Sequence, residues 1–142
     1  GAASATGWKG AASATGDYGA ASATGYQGAA SATGDYGAAS ATGDYGAASA
    51  TGYQGAASAT GNYGAASATG NQGAASATGK DSIACGLGYQ CKAKGAKNCW
   101  LVLAERDDDG KIMTVKTVCV DGKKIKANVF YILEKGEFKE VE

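Results

Sequence analysis

Gly1-Ala2-Ala3-Ser4-Ala5-Thr6-Gly7-Trp8-Lys9 opens the chain. The same heptad, Gly-Ala-Ala-Ser-Ala-Thr-Gly with two variable residues after it, begins again at Gly10 and at every ninth residue up to Gly73. A short period held without a slip means one structural unit stacked on copies of itself. Nine residues are two and a half helical turns, but two glycines per period each cost a helix about 1 kcal/mol relative to alanine. That argues against the helix. A polyproline-type bundle competes, because Gly1, Ser4 and Gly7 put a small residue at every third position. So does a β-solenoid, with Ala-Ala-Ser-Ala-Thr as a strand of about 17 Å and Gly-x-x-Gly as the turn.

Residues 82–99 decide between these two. In the same frame they read as two degraded repeats, Ser82 to Gln90 and Cys91 to Cys99. Their third and fifth positions stay tiny (Ala84 and Gly86, Ala93 and Gly95), while the second and fourth become Ile83 and Cys85, then Lys92 and Lys94. Alternation with period two is a strand signature, and the always-small positions belong inside. A crowded three-residue axis would have to admit Lys94 and Lys97. The expected fold is therefore all-β: a two-sheet parallel β-solenoid of nine-residue half-coils over 1–99, with Ala3, Ala5 and their equivalents inward and Ala2, Ser4 and Thr6 outward.

From Trp100 the composition changes. Trp100–Arg106 reads as an apolar strand, Asp107-Asp108-Asp109-Gly110 as a turn, Lys111–Val120 as a second strand and Asp121-Gly122 as the next turn. Val129–Leu133 and Phe138–Val141 supply two more, so 100–142 is expected to be an antiparallel β-meander that caps the rod. The outward row Ile83, Cys85, Leu87 is apolar and is expected to be its docking site, against Trp100, Val129, Tyr131 and Leu133. The outward lysines Lys92 and Lys94 are expected to meet water.

Two repeats per coil place alternate turn dipeptides about 4.8 Å apart along opposite edges. One edge then carries Trp8, Tyr26, Tyr45 and Tyr63, and the other Tyr18, Tyr36 and Tyr53. Such stacks shield the turns, and they also offer an aromatic stripe for self-association or a glycan.

Leu, Ile, Val and Phe number 16 of 142 residues, few enough to signal disorder by composition, yet all 16 lie after residue 82. Up to Gly79 the chain has one Lys and three Asp (net −2); residues 80–142 carry 12 basic and 10 acidic side chains (net +2). Neither half has a field that recruits nucleic acid. Asp17, Asp35 and Asp44 sit singly in their turns, too few oxygens for calcium. There is no His, no phosphate loop and no base beside the Ser of the repeats, which argues against an enzyme and against a cofactor.

Cys85, Cys91, Cys99 and Cys119 do not follow a zinc-ribbon spacing. Cys91 and Cys99 flank an extended strand, about 20 Å apart, and are too distant to pair. A Cys85–Cys119 bridge is the alternative to four free thiols, which would point to a reducing compartment such as the cytoplasm. No apolar run is long enough for a membrane span. The chain starts at Gly1 without an initiator methionine, as a partial or processed piece would.

The Ala-x-Ala-x-Gly rhythm, with Ser82-Ile83-Ala84, resembles the head repeats of trimeric autotransporter adhesins. It is also similar to nonapeptide-repeat regions of bacterial and phage-associated proteins ending in a β cap of the type Cys99-Trp100-Leu101-Val102-Leu103. That resemblance implies a fibre-like role at a cell surface, in the extracellular space or on a virion. The outward Ser-x-Thr pairs resemble the Thr-x-Thr rows of ice-binding solenoids. The sequence thus supports a self-assembling fibre unit, joined head to tail or laterally, with ice binding or glycan adhesion as alternatives.

Overall fold

In the computed structural model, which describes residues 1–141, each heptad forms one five-residue strand: β1 (Ala2–Thr6), β2 (Ala11–Thr15), β3 (Ala20–Thr24), β4 (Ala29–Thr33), β5 (Ala38–Thr42), β6 (Ala47–Thr51), β7 (Ala56–Thr60), β8 (Ala65–Thr69) and β9 (Ala74–Thr78). Odd strands line up in one sheet and even strands in the other. All pair in parallel with an offset of 18 residues, so Ala39 lies beside Ala21 and Ala57, and Thr42 beside Thr24 and Thr60. The molecule is a two-sheet β-solenoid with two repeats per coil. Among the described residues no helix is long and apolar enough to cross a membrane.

Facing follows from the period of two. Ala48 and Ala50 are 3% and 0% exposed, whereas Ala47, Ser49 and Thr51 on the same strand face outward. The interior is therefore two facing layers of methyl groups, each worth about 0.8 kcal/mol on burial. That is little per residue, so cohesion rests on the hydrogen-bond ladder, which runs on through the turns. In Gly43-Asp44-Tyr45-Gly46 the Gly46 N–H donates to the Gly43 carbonyl at 3.2 Å, while the Tyr45 N–H donates to the Asn62 carbonyl of the next coil at 2.9 Å. Gly43 has φ +127°, and a methyl there would lie 2.0 Å from the Gly25 carbonyl oxygen. No other residue fits that stacked corner.

The expected frame persists through β10 (Ile83–Gly86), then slips. Ile83 pairs with Ala65, 18 residues earlier, but Trp100 pairs with Ile83, only 17 residues earlier. The Cys99 N–H closes the turn onto Ala96, so the coil piece containing β11 (Lys92–Gly95) has eight residues and Cys99 opens the next one. β12 (Trp100–Arg106) is accordingly a parallel member of the even sheet, and the parallel ladder does not end at residue 99. Its inward side chains are large: Leu101 and Leu103 are fully buried. The fifth-position glycines make room for them, since a methyl on Gly86 would meet Leu103 Cδ2 at 3.0 Å and one on Gly95 would meet Leu101 Cδ2 at 3.4 Å.

The remaining strands do not form one meander. β13 (Ile112–Cys119) runs antiparallel to β12 at the edge of the even sheet. The chain then crosses over: β14 (Phe130–Glu134) pairs antiparallel with β11, and β15 (Glu137–Val141) closes the odd sheet. On the way, the Asp121 carboxylate accepts the Lys123 and Ile125 N–H groups at 2.8 and 3.1 Å, bonds that hold its pKa below the usual carboxylate range. Each sheet is thus extended by two strands. Ile83, Cys85 and Leu87 remain half-buried on the outer face, beside Trp100 and Val102, and no strand lies flat on them. Extending the edges satisfies the backbone groups of β10 and β11, which packing onto a face would leave unpaired. Phe130 lies beneath Lys92 and Lys94, whose ammonium groups sit 4.4 and 4.6 Å from its ring centre, so these lysines are half-buried rather than free in water.

Because Ala48 is a buried, inward member of the alanine core, Ala48→Leu should overpack the rod by about 1–3 kcal/mol or more. Thr51→Val, on the outer face of the same strand, should change stability by less than about 0.5 kcal/mol. Thermal unfolding followed by circular dichroism separates the two, and equal tolerance would mean that the facing is reversed.

Candidate functional site

The variable dipeptides are where the coils differ from one another, and the structure gathers them into two lateral edges. Trp8, Tyr26, Tyr45 and Tyr63 run down one edge, with successive ring centres 4.6, 5.4 and 5.2 Å apart. Tyr18, Tyr36 and Tyr53 run down the other, 5.1 and 5.8 Å apart. All seven side chains are exposed, from 37% at Tyr26 to 74% at Tyr18.

Ring geometry obeys a positional rule. Pairs that share the same place in the dipeptide lie parallel: Trp8–Tyr26 at 17°, Tyr18–Tyr36 at 7° and Tyr45–Tyr63 at 16°. Pairs that mix first and second places tilt, Tyr26–Tyr45 to 53° and Tyr36–Tyr53 to 77°. The cause is local. Tyr18, Tyr36, Tyr45 and Tyr63 share a left-handed backbone, with φ near +60°, so their side chains leave the chain in one direction. A tyrosine in this conformation is uncommon, and here the ladder bond and the neighbouring ring hold it. Crowding and the neighbours Tyr45 and Asp44 push the Tyr26 hydroxyl pKa up.

Polar dipeptide residues make ladders of their own. Asp35 Oδ1 accepts the Tyr53 N–H at 3.0 Å, Asp44 Oδ1 the Asn62 N–H at 3.1 Å, and Asn62 Oδ1 the Lys80 N–H at 3.0 Å. Each satisfies a turn amide that the backbone ladder leaves open. Gln54 Nε2 donates to Gln72 Oε1 at 2.9 Å, and Gln72 Nε2 to Gln90 Oε1 at 3.2 Å. Dipeptide composition alone did not announce this amide ladder. Tyr89 also belongs to the second edge, beyond Gln72, and donates to Asp108 at 2.9 Å, a bond that raises its pKa.

The residues expected to join rod and cap are split between the sheets. Ile83, Cys85, Leu87 and Trp100 lie on the even side, while Val129, Tyr131 and Leu133 come with the crossover to the odd sheet. Tyr131 and Leu133 point inward and are buried. The Tyr131 hydroxyl accepts the Lys126 N–H at 2.7 Å and donates to Glu140 at 3.3 Å. Glu105 links the sheets, accepting the Lys135 and Gly136 N–H groups at 2.7 and 2.9 Å.

All four cysteines are free. Cys85 and Cys119 lie on opposite sides of β12, paired with Val102 and Trp100 respectively, which is two strand spacings apart and beyond disulfide reach. Cys91 and Cys99 take the place of the first-position glycine. Their thiols turn inward onto the Gly70 and Gly79 carbonyls at 3.0 and 2.9 Å, as the Ser82 hydroxyl does onto Gly61 at 3.0 Å. Burial pushes the Cys91 thiol pKa up, and Cys85 likewise. A cleft between Tyr89, Gln90, Arg106 and Glu134 opens beside the cap. Arg106 is committed there to the Leu87 and Gly110 carbonyls at 2.9 and 2.8 Å.

No family model, no curated protein and no solved structure matches this chain.

If the Asp ladder serves the turns, Asp35→Ala should cost about 0.5–1.5 kcal/mol. Asp35→Asn should cost less than half of that, because Asn62 already makes the same bond. Urea unfolding of the three proteins provides the comparison, and an Asn variant as weak as the Ala variant would show that the acceptor is not what matters.

Proposed function

We propose that the chain is a structural, non-catalytic rod, the shaft segment of a fibre that is closed at its C-terminal tip. One observation carries this reading: every repeat position lies in register with its counterpart one coil away, in the strands and in the turns alike. An object of this kind grows by translation. Its eight-stranded sheet spans about 34 Å at 4.8 Å per strand, and further coils would lengthen it without altering any existing contact. The likeness in rhythm to adhesin head repeats points the same way.

The two ends are chemically unlike. At the tip, β13 and β15 carry exposed charged groups on the inward-facing side of their sheets, opposite Leu103 and Tyr131: the Lys116 ammonium donates to the Gly136 carbonyl, and the Glu140 carboxylate accepts from the Tyr131 hydroxyl and pairs with Lys126 at 3.1 Å. Inward charges on edge strands oppose further pairing. At the first coil, β1 and β2 present uncharged Ala/Ser/Thr strands, and Ala3 and Ala5 are only half-buried. That face accepts another strand of the same kind, from the same polypeptide or from a second copy. Joining through it is favoured over joining through the tip.

The aromatic edges suit self-shielding better than sugar binding, because stacked rings cover one another's faces and leave mainly edges and hydroxyls to solvent. A second reading, ice binding, rests on the exposed threonine rows in register, such as Thr15, Thr33 and Thr51. A measurement of thermal hysteresis on the unmutated protein, with Thr42→Lys as its control, decides it.

Sedimentation and negative-stain microscopy at high concentration test the fibre reading. Linear or paired particles are expected, and Ala3→Lys with Ala5→Lys, charges at the two half-buried inward positions of the first strand, should return them to monomers. Thr51→Lys, in the middle of one face, should leave end-on joining intact. Particles that stay single and short at every concentration would remove self-assembly from the proposal.

A further inference from the structure

The aromatic edges have a chemistry that stacking alone does not exhaust. Tyr18 and Tyr36 are parallel within 7° with ring centres 5.1 Å apart, and Tyr45 and Tyr63 are parallel within 16° at 5.2 Å. In both pairs the backbones lie one strand spacing apart and leave their turns in the same left-handed conformation. Each ring is therefore related to its neighbour by a near-translation, which leaves like carbons about as far apart as the ring centres. All four rings are between 44% and 74% exposed, so a diffusing oxidant reaches them and they have room to turn.

We propose that Tyr18–Tyr36 and Tyr45–Tyr63 are sites of dityrosine cross-linking, which staples consecutive coils of one chain together. The co-reactant is a one-electron oxidant of the haem-peroxidase class, working with hydrogen peroxide. It takes one electron from each phenol, and each phenol releases its hydroxyl proton to water. The two radicals join through one carbon–carbon bond between the ring carbons ortho to the oxygens. The hydrogens on those carbons then move, through water, to the oxygens and restore both phenols. The product lacks two hydrogens; one peroxide takes up the two electrons and two protons and leaves as two waters.

Stacking supplies the selectivity. Coupling needs two radicals or a radical and a ring in contact, and a rigid ladder converts that encounter into an intramolecular one. The tilted pairs Tyr26–Tyr45 and Tyr36–Tyr53, at 5.4 and 5.8 Å, present an edge or a tilted face instead of matching ortho carbons, and serve as internal comparisons. The staple joins residues of one chain, so it does not depend on whether rods assemble.

The dilute 142-residue protein is exposed to a peroxidase with limiting hydrogen peroxide. It is then cut with a protease that cleaves before aspartate, at Asp17, Asp35, Asp44 and Asp81, and the fragments are weighed. Coupling of Tyr18 to Tyr36 joins fragment 17–34 to fragment 35–43, and coupling of Tyr45 to Tyr63 leaves fragment 44–80 lighter by two hydrogens. The tilted pairs would instead join 17–34 or 35–43 to 44–80. The first two products are expected to dominate and to fall roughly tenfold or more in urea, where the ladder is gone. Tyr36→Phe, which preserves the ring, should abolish the 17–34 to 35–43 product and keep the lighter 44–80 fragment. Links mainly between tilted pairs or between molecules, or a yield unchanged by urea, would overturn the proposal.

Discussion

The structure depends on one constraint: the backbone ladder between coils must continue through the corners. A methyl-lined interior is too thin to hold nine-residue half-coils by apolar burial alone. Strand-only pairing would leave turn amides bare at every corner. The Gly-x-x-Gly turn solves this because its second variable residue bonds an adjacent coil through its own N–H, while the leading glycine lies against the glycine carbonyl one coil away. The invariance of that glycine through Gly79 has this origin: φ excludes a side chain, and so does the neighbouring carbonyl.

Once the corners stack, their side chains have no choice but to stack as well. Asp and Asn become amide acceptors, Gln becomes a side-chain ladder and the aromatics become columns. Whether two rings lie flat or tilted depends on whether they hold the same place in the dipeptide, because that place sets the backbone conformation from which the ring departs. The same register that makes the outer faces regular therefore makes the edges regular too, and the proposed fibre role and the proposed covalent staple would both draw on it without needing a pocket.

Ending such a ladder is a separate problem, and this chain solves it gradually. The coils first exchange alanine for glycine at the fifth position, which admits leucines beneath; then each sheet receives an antiparallel pair of strands. Tyr131 and Leu133 fill the widened interior, Phe130 seats two lysine heads on the outer face, and Lys116 and Glu140 carry exposed charge on the inward-facing side of the last strands. A structure that grows by translation is closed by making its final edge unlike its first.

The repeat by itself determined the strand length, the inward alanines, the turn dipeptides and the membership of both aromatic edges. All of these are consequences of local periods: two along a strand, nine per half-coil and eighteen per coil. Tertiary structure alone decided the rest. The missing residue at Lys97-Asn98, the parallel placement of Trp100–Arg106 and the crossing of the chain to the odd sheet before Phe130 depend on which backbone edges are unsatisfied when the repeat stops. An apolar row such as Ile83, Cys85 and Leu87 reads as a docking face when considered alone. Here it stays half-buried with no described strand laid over it, because edge pairing satisfies several amides and carbonyls at once, and a strand laid flat on that row would leave them unpaired.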